Sequence, residues 1–267
     1  MVLLLHGAID IKGLGVPSMN IVDIEIRLSQ YLNSIEYAIL HYKTISEIVF
    51  VENTGYKYDY SGLQEQATQN GKKLEIISFR GDYSKIQQKG KGFGEGESIK
   101  YALNNSNILK QCHQFFKLTG RLIVKNMDEI VETTRSPSSF IYHPKTIYRI
   151  SKDHIETYFY KVDKNVYIEY LIDAHQDIDE SDFRYLEHVF YEKLSFFDLR
   201  SFKITPLISG FSGTSGNPYD LGTKRLIIEK INFFIGVHNL KKTTIERVLC
   251  LLLSCLFKIR RLFKWSQ

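Results

Sequence analysis

The sequence predicts an α/β fold with a mostly parallel, Rossmann-like sheet and a terminal amphipathic helix. Three observations predict it. Short apolar runs recur at 2–5, 45–51, 74–79 and 115–124. Segments with apolar residues at helical spacing separate them. The length of 267 residues, 43% apolar and 24% charged, suits a soluble globular protein with one large domain or one domain and an appendage.

The first run, Val2 to Leu5, turns at His6-Gly7. Residues 21–42 place Ile24, Leu28, Tyr31, Leu32, Ile35, Ala38 and Ile39 on one helical stripe. The second run ends at Glu52-Asn53-Thr54-Gly55, and a helix over 60–69 follows, with Ser61 as N-cap and Gly71 as stop. After the third run come a glycine-rich stretch, a helix over 98–104 and the fourth strand at 115–124. Strands alternating with helices in this way make βαβ units. Ligands of such sheets bind at the carboxyl ends of the strands. His6-Gly7, Asn53-Thr54-Gly55, Ser78-Phe79 and Thr119-Gly120-Arg121 stand at those ends.

The second half reads differently. Alternation over 154–173 predicts a hairpin turning at Asp163-Lys164-Asn165. Residues 181–194 read as a helix with Phe183, Leu186, Val189, Phe190 and Leu194 on one face. A turn-rich loop spans 206–219, and helices are expected over 221–237 and 243–265.

The net charge is +5, concentrated at the end of the chain. Lys241, Lys242, Arg247, Lys258, Arg260, Arg261 and Lys264 stand there against Glu246. The apolar stretch 248–257 is too short to span a bilayer, which takes about 20 residues. With its basic neighbours and Trp265 it reads as an interfacial helix on anionic lipid, or as a docked helix with a basic outer face. Cys112, Cys250 and Cys255 lack C-x-x-C spacing, so a zinc ribbon or redox pair is not indicated. Free cysteines and a first strand without a basic leader predict a cytoplasmic protein.

Four glycines, Gly90, Gly92, Gly94 and Gly96, alternate in Lys89 to Glu97 just before a helix. Bare amides, flanking lysines and a helix start make a seat for a phosphate, or else a basic surface loop. The spacing is not that of a P-loop. Lys117, Thr119 and Arg121 alternate along a strand and share a face. Arginine forks onto a diphosphate and lysine adds a point charge. Glu187 and His188 suit a general base and its partner, or an exposed acid and a core histidine. Asp177-Ile178-Asp179 offers the sequence's only carboxylate pair for Mg²⁺ or Mn²⁺, though capping of the next helix is the favoured reading, so no metal is assigned. Ser209, Ser212 and Thr214, in a glycine-rich loop, suit an acceptor sugar, a lid or a plain surface loop.

Taken together, residues 48–55, 90–102, 116–121, 185–191 and 208–216 resemble bacterial glycosyltransferases of capsule and surface-polysaccharide clusters. The resemblance covers most of 1–220 and implies a GT-A-type fold. It implies a nucleotide-sugar half at 1–125 and an acceptor and catalytic half at 126–240, to which the basic, apolar tail adds an expected membrane-associating helix at 241–267. Asn53, Gly92, Gly94, Glu95, Lys117, Thr119 and Arg121 would line the donor site, with Glu187 as base near the acceptor. Many such enzymes end the fourth strand in a metal-holding D-x-D; here that strand carries Lys-x-Thr-Gly-Arg, so cations would stabilise the leaving diphosphate instead. The expected activity is transfer of a hexose from a nucleotide diphosphate to a lipid-linked glycan at the inner face of the cell membrane, with no nucleic acid involved. The rivals are a nucleotidyl- or phosphotransferase, which needs an acidic metal cluster, and a non-catalytic carbohydrate-binding module.

Overall fold

The computed structural model describes residues 1–13, 20–143, 153–213 and 215–252. Its centre is a five-stranded sheet. Strands β1 (Val2–Gly7), β2 (Glu47–Glu52) and β3 (Lys73–Ser78) are parallel neighbours, joined by α1 (Ile24–His41) and α2 (Ser61–Gln69). The chain leaves β3 through α3 (Tyr83–Lys89), α4 (Lys91–Asn105) and α5 (Asn107–Gln111), and returns as β4 (Gln114–Thr119) on the other side of β1. Next come β5 (Leu122–Val124), α6 (Met127–Thr133) and a short antiparallel pair, β6 (Tyr142–His143) with β7 (His154–Ile155). Strand β8 (Phe159–Asp163) then joins β4 antiparallel.

The strand order is β3-β2-β1-β4-β8, so the winding reverses between β1 and β4. Loops leaving two such strands diverge and open a crevice at their carboxyl ends. The pleat divides the core into two layers. Leu3, Leu5, Ile48, Phe50, Phe116 and Leu118 pack against α1 on one face. Val2, Leu4, Val49, Val51 and Phe115 pack on the other face, against α4 and α8 (Leu186–Leu194, with α7 given below). This two-sided burial is why these strands read as continuous apolar runs.

Several expected elements differ. The hairpin over 154–173 has only its first arm. Asp163 accepts from the amides of Asn165 (2.9 Å) and Val166 (3.2 Å), which starts a helical turn, α7 (Lys164–Val166), where the hairpin should reverse. It runs on as a π-helical turn, Tyr167–Leu171, burying Tyr167 and Leu171 at helical spacing. The fourth strand breaks after Thr119. Gly120 donates its amide to the His6 carbonyl at 2.8 Å, and a Cβ there would lie 2.7 Å from that oxygen. Beyond it, β5 turns away to pair with β9 (Ile208–Gly210).

The helix expected from 181 starts at Leu186. Residues Glu180–Asp182 form a separate 3-10 turn capped by Asp179, and Phe183 is left-handed and exposed. Ser61 opens α2 without capping it; Asp59 accepts its amide instead, at 2.9 Å. Helix α9 (Thr223–Phe234) lies within its expected range, and α10 occupies 244–252. The remainder of the expected terminal helix lies outside the described residues.

Candidate active site

A cavity of about 480 Å³ opens where β1 and β4 end. That is the usual size for a small-molecule site. Its floor comes from strand ends: His6 and Ala8 after β1, Asn53 after β2, Thr119 and Arg121 around the end of β4. Gly92, Gly94 and Glu95 come from α4, Glu156, Thr157 and Tyr158 from the segment between β7 and β8, Glu187 from α8, and Ser212 and Gly213 from the loop after β9. Glu52 holds the floor loops in place. Its buried carboxylate accepts from the amides of Ile9 (3.1 Å), Thr54 (2.8 Å) and Tyr56 (3.1 Å).

The glycine run and the β4 end therefore meet at one cavity, but the run is not a phosphate loop. It lies inside α4, which begins at Lys91, seven residues earlier than expected. Gly90, with φ of 104°, makes the break from α3. The first turn of α4 already holds an anion: Gly92 donates its amide to Glu180 at 2.8 Å. Gly94 and Gly96 serve packing instead. A Cβ on Gly94 would lie 3.1 Å from Asn53 and Ile86, and one on Gly96 2.4 Å from His175. Asn53 donates to the Gly94 carbonyl at 3.1 Å and so clamps β2 to α4.

Lys117 and Arg121 have different fates. Lys117 is fully buried and donates to Glu95 (2.5 Å) and the Thr157 carbonyl (2.6 Å), with Thr119 Oγ1 at 3.4 Å. It sits beneath the cavity lining, so it fixes Glu95 and Thr157 rather than offering a free ammonium to a donor. Burial pushes the Glu95 carboxyl up, yet Lys117 and His6 outweigh it and hold it below its usual range. Arg121 lies past the Gly120 turn, in the lining. It donates to Gln30 at 3.2 Å, and its Nε has no partner among the described residues. Gly213 passes close enough that any side chain there would strike the guanidinium. Arg27, also in the lining, is spent on backbone carbonyls: Ala8 at 2.8 Å and Ile21 at 2.9 Å.

Glu187 stands in the first turn of α8 and accepts from Thr157 Oγ1 at 3.0 Å. Burial, with help from Glu95 and Glu156, raises its carboxyl to about 7. A carboxyl that titrates near neutrality can serve as acid or base at working pH. His188 points to its own helix end, its Nδ1 accepting from the Tyr185 amide at 3.3 Å. Glu156 behaves in the opposite way to Glu187. Burial alone would raise it, but hydrogen bonds from His143 and His154 bring it to about 2.

Ser212 lines the cavity, whereas Ser209 is turned to Asp220 at 3.0 Å, and Thr214 lies outside the described residues. Asp177 pairs with Lys193 at 2.8 Å, and Asp179 caps the turn before α8. Both are off the cavity lining, and the β4 end carries no carboxylate. The residues present therefore do not fit a metal held beside a diphosphate at that strand end.

Nothing in the sequence marks His6 as a site residue beyond its position after an apolar run, at a strand end. Both its ring nitrogens are buried in the cavity floor without a partner among the described residues. Burial, with Lys117, Arg121 and Arg27 nearby, lowers it to about 4, so it is a neutral imidazole at pH 7.

No family model matches the sequence, and no curated protein matches it. Among solved structures the chain is similar to the glycosyltransferase GlyE of Streptococcus pneumoniae, with a TM-score of 0.46 and 9% identity, over 72% of this chain and 43% of that one. It is similar to an active-site mutant of LgtC (TM-score 0.42, 8% identity, 72% of this chain and 70% of that one). It is also similar to a nucleoside-diphosphate-sugar pyrophosphorylase of Vibrio cholerae (TM-score 0.38, 13% identity, 72% and 86%). The chain spans less than half of GlyE.

Chemically, the cavity lining holds both the Arg121 guanidinium and the Glu187 carboxyl, which titrates near neutrality. That combination suits stabilising an anionic leaving group and transferring a proton in one cavity.

Proposed function

We propose that the protein is a glycosyltransferase of the hexosyltransferase type, using a nucleotide diphosphate sugar as donor. The carrying observation is Arg121 and Glu187 lining one cavity at the strand-order reversal. Residues 1–125 supply the donor floor and 126–240 the acceptor side. Arg121 meets the diphosphate, His6 takes a hydroxyl of the nucleoside or sugar, and Glu187 accepts the proton of the attacking hydroxyl. Catalysis comes from positioning and from charge placed where the leaving group develops.

The acceptor is a lipid-linked glycan of capsule or surface-polysaccharide assembly, met at the inner face of the cell membrane. What supports a membrane surface is the outer stripe of α9. Ile227, Ile228, Ile231 and Phe234 are exposed there, with Lys224 and Lys230 exposed on the same helix. Ile245, Val248, Leu251 and Leu252 of α10 are exposed too. Among the described residues no helix is long and apolar enough to cross a membrane, and the contact proposed is a peripheral one.

A thermal-shift panel of uridine, guanosine, cytidine and thymidine diphosphate sugars tests the donor. One nucleotide is expected to raise the Tm by several degrees at saturation. No shift with any of them would overturn the reading and leave a non-catalytic binding module.

A further inference from the structure

We propose that His143, His154 and Glu156 bind one divalent transition-metal ion of the Zn²⁺ class. The site follows from strand register. His143 of β6 pairs directly with His154 of β7, so the two imidazoles stand side by side, with ring centroids 5.1 Å apart and planes 21° from parallel. Glu156 is two residues beyond His154 and so returns to the same face of the strand. Three ligand atoms converge as a result. Nε2 of His143 is 3.2 Å and Nε2 of His154 3.7 Å from the same oxygen, Oε1 of Glu156. One ligand atom from each of the three residues lies within 4.8 Å of the others.

Tetrahedral zinc with bonds of about 2.0–2.1 Å needs its ligand atoms about 3.4 Å apart. Small rotations of the two rings supply the difference. The donor set, two imidazole nitrogens and one carboxylate oxygen, suits borderline cations such as Zn²⁺ better than Mg²⁺ or Ca²⁺, which prefer oxygen alone. The three side chains are 23–31% exposed, so an ion reaches them from solvent. Three protein ligands leave a fourth position, the mark of a site that exchanges water for a substrate oxygen.

The location gives the ion a use. Glu156 lines the candidate active cavity and also a second one of about 320 Å³, which His143 shares with Arg225, Glu229 and His238. The next residue, Thr157, donates to Glu187 and accepts from Lys117. An ion here would stand between the two cavities, where an acceptor hydroxyl or phosphate oxygen takes the fourth position. The site is distinct from the Asp177/Asp179 pair and from the β4 end. Metal binding is independent of the donor reading: each can fail while the other holds.

The test uses the whole chain, stripped with a chelator. Co²⁺ should bind at one equivalent and give intense visible d–d bands, as tetrahedral cobalt does, and Zn²⁺ should displace it. Calorimetry with Zn²⁺ should show the same stoichiometry. His143→Ala and His154→Ala should each weaken Zn²⁺ by more than about 10-fold. His41→Ala and His113→Ala, at exposed histidines elsewhere, should leave it unchanged. Absence of cobalt bands in the unsubstituted protein overturns the inference, and the three groups are then a proton-linked cluster only. Binding that survives both site variants overturns it equally. If a variant does not fold, the cobalt spectrum of the unsubstituted chain decides alone.

Discussion

The two walls of the cavity hold their charges in opposite ways. On the strand-end wall cations build the structure: Lys117 is sealed onto Glu95 and the Thr157 carbonyl, and Arg27 onto Ala8 and Ile21. On the wall from residues 156–158 and α8 the carboxylates diverge. Two imidazoles bring Glu156 to about 2, while Glu187, buried beside a lone threonine hydroxyl, rises to about 7. Like groups a short distance apart thus acquire different chemistry from their surroundings alone. Charge on the first wall mainly positions; on the second, Glu187 titrates where a proton can be exchanged near neutral pH.

The largest expected effect sharpens this division. Glu187→Gln should lower turnover by about 10²–10⁴-fold, the usual contribution of a positioned base. In the parent the rate should rise with pH through about 7, as the carboxyl ionises, and the variant should lose that limb. Stability carries the opposite sign. The folded carboxyl titrates at about 7 against 4.5 unfolded, so its stabilising contribution is complete below pH 4.5 and is lost as pH rises to 7. Glu187→Gln should therefore melt higher than the parent at pH 8 and equally at pH 4. Equal melting at both pH values would show an ordinary, solvated acid.

Next comes the buried pair. Lys117→Met leaves Glu95 charged and unpaired in the interior, which costs about 3–5 kcal/mol. Urea denaturation should show it, and adding Glu95→Gln should restore most of the loss. If the single variant keeps its stability and instead loses donor affinity, Lys117 belongs with the reactive groups and the division between the walls fails.

This contrast also explains what was legible in the sequence. Strands β1, β2 and β4 were, because burial on both faces leaves apolar runs such as Val2 to Leu5, and the edge strand β3 was through Leu74, Ile76 and Ile77. The convergence of the β1 and β4 ends was legible from topology. Composition could not separate Lys117 from Arg121. They are four residues apart, and the Gly120 turn puts one under the floor and one in the lining. The glycine run misled for a similar reason: alternating glycines mark close backbone approach, and here the approach is helix packing on Asn53 and His175. His143 and His154 were invisible as a pair because only the β6–β7 register brings them together.

Arg121 is the exception on the strand-end wall, a cation in the lining with an unused donor. Arg121→Ala should weaken nucleoside diphosphate binding by about 10- to 100-fold, the loss of one or two charged hydrogen bonds. Urea denaturation should barely move. Arg121→Lys should recover the charge but not the forked contact, and fall between the two. Parent-like affinity in both variants, measured by calorimetry, would leave the first wall without a ligand-binding cation.

The smallest effect concerns what lies behind the second wall. Helix α9 turns Arg225, Glu229 and Phe233, spaced four apart, toward the cavity that Glu156 shares. Ile227, Ile231 and Phe234 lie on its outer stripe, and Phe234 is 86% exposed. The wall that carries Glu187 is thus one helix away from the apolar surface proposed to meet the membrane, which would give the proposed lipid-linked acceptor a short path. Phe234→Ser should lower partitioning onto anionic vesicles by roughly 10-fold, the transfer energy of one large apolar side chain, with donor binding unchanged. Adding Ile231→Ser should lower it again by a similar factor. High salt should weaken the parent as well, because the exposed lysines of α9 contribute. Vesicle co-sedimentation that is indifferent to both substitutions would move the membrane contact away from α9 and break its link with the acid wall.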